Sequence, residues 1–548
     1  MALHPFAIEQ DGSVPNAELV IHGTLLTVDE SQPTAEALAV IGGHIAAVGS
    51  RADVEPFIGP DTEVLDIGDG CVMPGLIEAH GHPLMEAIAL SDRLVDIRPV
   101  TIPDAADVVA SIKSEVSKRG ADGAYLNGWD PLLQDGLPEP ALEWLNGIAP
   151  DNPLVIIHNS GHKAFFNSAA AARSGLTRET PDPKGAKYGR DASGELDGTA
   201  EETGAVFPLL TGAIQPSDYP AMLLAECARL NRAGLTTCSE MAFDPLFRPM
   251  LDQLRDQLTV RLRTYEMSTA KMATDETVDN GDDTVRQVGI KIWVDGSPWV
   301  GNIDLSFPYL DTDATRTIGV VPGSCGHANY TREQLTEIVE AYFPLGWQMA
   351  CHVHGDRGVD TILDVYEEAL EKHPRSDHRL RLEHVGAITD EQLRRAADLG
   401  VTCSILVDQI HYWGDIIVDG LFGAEHGDRW MPCGSAVATG MRISLHNDPP
   451  VTPEEPLRNI SVAATRTSPS GRVLGPAQRL TVEQAIRAQT IDAAWQLFSD
   501  DAIGSLEVGK YADLVVLSAD PRSVPAEQVA DLEVRATFLA GKRVYAKD

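Results

Sequence analysis

Between Gly75 and Asp448 the chain alternates eight apolar runs of strand length with stretches of helical spacing, and few architectures accept that pattern. The runs are GLIEAH (75–80), LTTCSEM (235–241), TVRLRTYEM (259–267), VGIKIWVDG (288–296), WQMACHVH (347–354), LRLEHVG (380–386), VTCSILV (401–407) and RISLHND (442–448). Strands that alternate with helices read as parallel βα units. Eight such units predict an α/β fold, a (β/α)8 TIM-like barrel. Three helix starts carry the capping-box signature, Thr331 with Gln334, Thr389 with Gln392 and Thr481 with Gln484, each ahead of amphipathic spacing.

The flanks have another texture. From Ala17 to Met73 short strands reverse at Gly-Gly and Asp-Gly turns, and GSLEVGKYADLVVLSADP and VRATFLAGKRVYAKD resume that pattern near the C-terminus. The expected division is a small discontinuous β-sandwich from residues 1–73 and 501–548, with the barrel over 74–500. Residues from about 92 to 234 are too many for one crossover helix and predict an insertion over the barrel mouth.

A formal charge of -38 disfavours nucleic acid and anionic membrane as partners, since both would be repelled. The seven cysteines form no CxxC pair, which excludes a disulfide framework or a thiolate zinc site as the reading. The segment MALHPFAIEQDGS has no basic stretch leading into an apolar core, and no run of about eighteen apolar residues occurs, so a soluble, cytoplasmic protein is expected.

Active sites of such barrels lie at the C-terminal ends of the strands. There the chain places His80, His82, Lys291, His352, His384 and Asp448, all metal-ligand or proton-transfer types. His80 and His82 are two residues apart, so a strand presents both imidazoles on one face. Lys291 sits in an apolar strand, where a charge is costly to bury unless paired. Either it pairs with Asp295, or its neutral amine adds carbon dioxide and becomes a carbamate able to bridge two cations.

The motifs VMPGLIEAHGH, GIKIWVDGS, CHVHGDRGVD, RLEHV, HNDPPVTP and GSLEVGKYADLVVL together resemble the amidohydrolase superfamily. Within it the chain is similar to YtcJ-like metal-dependent hydrolases related to N-substituted formamide deformylases, over nearly its whole length. The resemblance implies two divalent metal ions, zinc being the natural choice for nitrogen and oxygen ligands. His80, His82 and Asp448 would hold one ion, His352 and His384 the other, with N-carboxylated Lys291 between them. It also implies hydrolysis of the C–N bond of an N-acyl or N-formyl amine or related amide through a metal-bound hydroxide, with Asp448 as general base and then acid.

HVHGD and HNDPPV depart from the family pattern. His354 competes with His352 as ligand; the motif position favours His352 and leaves His354 facing or supporting substrate. His446 falls on the same strand face as Asp448 and would contact substrate or hold Asp448. Other expected substrate contacts are His162, Trp129, His411 and Tyr412, the last two with Trp413 in an aromatic wall beyond the seventh strand. The substrate is a small molecule, and homo-oligomers are common in the family. A deaminase, lactonase or carbamate hydrolase on the same metals is the alternative reading. A non-catalytic regulatory role fits the complete ligand set poorly.

Overall fold

The computed structural model describes residues 14–183, 185–215, 217–268 and 280–547; the N-terminal segment read above lies outside them. All eight apolar runs form strands, here β1 (Leu76–Gly81), β2 (Leu235–Phe243), β3 (Arg261–Met267), β4 (Val285–Trp293), β5 (Gln348–Val353), β6 (Arg381–His384), β7 (Thr402–Ile405) and β8 (Ile443–Leu445). They pair in parallel and in that order. The barrel is nearly closed: beyond β8 the backbone N–H of Asn447 donates to the Glu78 carboxylate of β1 at 3.1 Å.

The strands are apolar because they are buried on both faces, by the barrel interior and by the helices outside. Trp347, Met349, Cys351 and Leu382 are among the fully buried side chains of the main core. All three expected capping boxes form, with Gln334, Gln392 and Gln484 returning hydrogen bonds to the caps Thr331, Thr389 and Thr481. Each satisfies backbone N–H groups that a helix start leaves unpaired.

The two chain ends meet, and their hydrogen bonding runs through one path of seven strands. The reason is the long strand Glu63–Pro74. It pairs in parallel with Leu19–Leu26, through Glu63 to Asp66 and, after a register shift, through Cys71 and Val72, and antiparallel with Leu514–Leu517 through Cys71 to Pro74, so it joins both ends in one path. A further six-stranded sheet occupies the stretch between β1 and β2, from Val95–Asp96 to Leu196–Glu201. The loop joining its strands Leu154–His158 and Lys163–Phe166 carries His162 to the barrel mouth. No helix among the described residues is long and apolar enough to cross a membrane.

Candidate metal centre

Strand alternation builds the floor of the site. On β1 Glu78 and His80 share a face, His82 follows just past the strand end as the cap of the helix Pro83–Ala89, and on β4 Lys291 and Trp293 share a face. Register sets Trp293 opposite His352, and His352 opposite Glu383, so the side chains of β4, β5 and β6 reach similar depth. On β6 both Glu383 and His384 turn to the centre, which a regular strand cannot do with adjacent residues. The backbone resolves this at His384, where φ is 71°, followed by Val385 at 54°. Asp448, at the end of β8, also has a left-handed φ of 54°. Such conformations are costly for residues other than glycine and collect at functional sites.

His80, His82, Lys291, His352, His384, Asp448 and His162 line one cavity of about 40 Å³, with Met85, Trp293, Pro450 and Val451 among its apolar walls. Nδ1 of His80 meets Glu383 at 2.6 Å, which leaves its Nε2 facing Lys291 Nζ at 3.0 Å and Asp448 Oδ1 at 3.5 Å. His82 Nε2 lies 3.2 Å from the same Asp448 oxygen, yet that oxygen has no aligned hydrogen bond. Nε2 of His352 is tied to the Gly296 carbonyl at 2.7 Å, freeing Nδ1 as acceptor. His384 Nε2 and His354 Nδ1 are buried without partners.

Buried lone pairs that approach one another without bonding one another are what a cation would satisfy. The donor set of imidazoles, a carboxylate and an amine fits a transition metal of the zinc type. His80, His82 and Asp448 form one such group, within 4.8 Å of one another; His352, His354 and His384 form a second, and His80, His384 and His446 a third.

Burial lowers the pKa of Lys291 to about 8. Its Nζ does not pair with Asp295, which instead accepts from the backbone N–H groups of His354, Gly355 and Asp304. Burial disfavours the charged form of His162, but Glu202, 2.8 Å from its Nδ1, overrides this and raises its pKa. His354 stacks on His384 with ring centres 4.8 Å apart, outside the cavity wall. His446 is fully buried behind His384. Trp129 lines a neighbouring cavity between the insertion and the barrel, while His411 contacts Arg458 and Tyr412 contacts Glu455. Neither His411 nor Tyr412 reaches the wall of the metal pocket. Glu383, Arg381, Glu240 and Glu202 had no assigned part in the sequence reading. The available signal was the cost of a charged residue inside an apolar strand, as Glu383 and Arg381 are in RLRLEHV.

Among curated proteins, the chain is 28% identical to Protein LONG AFTER FAR-RED 3 of Arabidopsis thaliana, over 96% of this chain and 91% of that one. It is 26% identical to the N-substituted formamide deformylase of Arthrobacter pascens, over 96% and 98%. An uncharacterized metal-dependent hydrolase from Pyrococcus horikoshii shares the fold with a TM-score of 0.72 at 23% identity, over 93% of this chain and 99% of that one. The model of the amidohydrolase family matches residues 63–545, nearly the full length, and the chain with this ring of ligand-type side chains belongs to that family.

Proposed function

We propose that the protein hydrolyses the C–N bond of an N-acyl or N-formyl amine or a related amide. Family membership supports a metal-dependent hydrolase, and the name of the Arthrobacter pascens relative supports the narrower reaction. The observation that carries the proposal is the convergence of six ligand-type side chains from β1, β4, β5, β6 and the end of β8 on one cavity.

His80, His82 and Asp448 would hold one divalent cation and His352 with His384 a second, zinc by its ligand chemistry, with Lys291 as a bridging carbamate. When bound, such ions acidify water and polarise a carbonyl. Asp448, whose Oδ1 carries no hydrogen bond, would take the proton of the attacking water and return it to the leaving amine. His162, oriented by Glu202, can donate to the substrate carbonyl oxygen as charge grows there. Met85, Pro450 and Val451 offer an apolar wall to the substituent on nitrogen and help to exclude water.

The test is the metal content of purified wild type and Lys291→Ala, followed by a panel of formamides, other amides, lactones and amino-heterocycles. Two ions per chain, falling in the variant, with turnover confined to amides, is the expected result. One ion unaffected by the substitution, or turnover of lactones alone, would overturn it.

A further inference from the structure

Behind His384 runs a line of side chains in which every proton can be assigned. His384 Nδ1 lies 3.1 Å from His446 Nε2, and His446 Nδ1 lies 2.7 Å from Ser404 Oγ. Ser404 and Ser444 are register partners on β7 and β8, with their Oγ atoms 2.7 Å apart. Ser444 Oγ is 2.6 Å from Gln496 Oε1. Gln496 ends the helix Ile491–Gln496, and its amide cannot be turned round. Nε2 donates to the Cys403 carbonyl at 2.8 Å and to Thr402 Oγ1 at 2.7 Å.

An amide oxygen only accepts, so the single hydroxyl proton of Ser444 goes to Gln496. Ser444 must then accept from Ser404, which commits the only hydroxyl proton of Ser404. Ser404 in turn accepts from Nδ1–H of His446. Full burial of His446 favours its neutral ring, with the lone pair on Nε2. That lone pair accepts from Nδ1–H of His384, so His384 carries its own lone pair on Nε2, the atom left without a partner at the centre.

We infer that Gln496, Ser444, Ser404 and His446 set the tautomer of His384, so that its Nε2 lone pair is held toward a cation. This rests on the reading of His384 as a ligand. His446 is then a positioning residue with both nitrogens engaged, and not itself a ligand.

The experiment is a zinc titration of metal-stripped protein against a chromophoric chelator, for wild type, Gln496→Leu, Ser444→Ala, His446→Leu and His446→Gln, with His384→Ala as reference. Gln496→Leu leaves all ligands in place but frees the Ser444 proton, so the line can run in reverse and put a proton on His384 Nε2. Affinity for one of two ions should fall about 10- to 100-fold, the range seen when a partner behind a metal-bound histidine is lost. Ser444→Ala should do the same with a smaller change of shape, should Gln496→Leu fold poorly. His446→Gln, which keeps an acceptor, should retain more affinity than His446→Leu. A purely structural role would lower the melting temperature of the metal-stripped protein without altering zinc affinity.

Wild-type affinity in both Gln496→Leu and Ser444→Ala, with an ion lost in His384→Ala, would overturn the inference alone. Loss of a whole ion in His446→Leu and His446→Gln alike would also overturn it, making His446 a ligand. Unchanged binding in His384→Ala would overturn the ligand reading and the inference together.

Discussion

Nδ1 of His80 lies 2.6 Å from a carboxylate oxygen of Glu383, and both side chains are shut off from solvent. Glu383 is held by Arg381, whose guanidinium donates to it at 2.9 Å and to the Ala79 carbonyl at 3.0 Å. The carboxylate keeps the His80 proton on Nδ1 and turns Nε2 toward Lys291. Glu383→Gln keeps the shape and removes the charge. We expect zinc affinity to fall by about 10- to 100-fold, measured by chelator competition. A lowered melting temperature should accompany it, because Arg381 loses the charge that compensates its burial. Wild-type zinc affinity in this variant would show that Glu383 serves the barrel interior and not the metal.

Lys291 is the one amine in the ring, and burial lowers its pKa to about 8. A lowered lysine pKa raises the share of neutral amine at neutral pH, and only the neutral amine adds carbon dioxide. If Lys291 bridges two ions as a carbamate, metal-stripped protein should recover the second of them faster in bicarbonate, with a rate that climbs as pH rises toward about 8. Lys291→Arg, which keeps a cation but forms no carbamate, should hold no more than one ion. Recovery indifferent to bicarbonate would refute the carbamate.

What the sequence exposed and what it hid follow from range. The eight strands and three capping boxes depend on residues within one turn or one strand, so periodicity and Thr-x-x-Gln spacing were enough. Site residues close in the chain, such as His80 and His82, were legible for the same reason. His384 is different: beside an inward Glu383 it faces the centre only through a left-handed backbone, and no spacing rule contains that. Partners such as Glu383 for His80, 303 positions away in the chain, are brought together by barrel closure. His411 and Tyr412 were placed by extending strand register into what is a helix, Gln409–Ile416, where a period of two does not hold.

Glu202 is the reason that the pKa of His162 is raised in spite of burial. Removing that charge in Glu202→Gln should let His162 lose its proton at lower pH. If His162 donates to the substrate, the alkaline limb of kcat/KM should move toward lower pH while metal content stays unchanged. The measurement is a pH profile of both enzymes on the same substrate. Superimposable alkaline limbs would remove His162 from the reaction.

Glu86, Glu226 and Glu454 bring carboxylate oxygens within 4.8 Å of one another away from the metal pocket, and both Glu86 oxygens are buried without a hydrogen bond. Burial first, and then the charge of Glu454, pushes Glu226 up to about 8 against the opposing pull of Arg229. Burial and Glu226 likewise hold Glu86 well above the usual carboxylate range. A carboxyl whose pKa is raised on folding binds its proton more tightly in the folded state. Its contribution is therefore present in full below the ordinary carboxylate pKa and is lost as pH rises through about 8. The melting temperature should fall between about pH 6 and about pH 9, and Glu226→Gln, which cannot ionise, should flatten that slope and exceed wild type at the alkaline end. A wild-type melting temperature level across that range would mean that the three carboxylates do not share protons in this way.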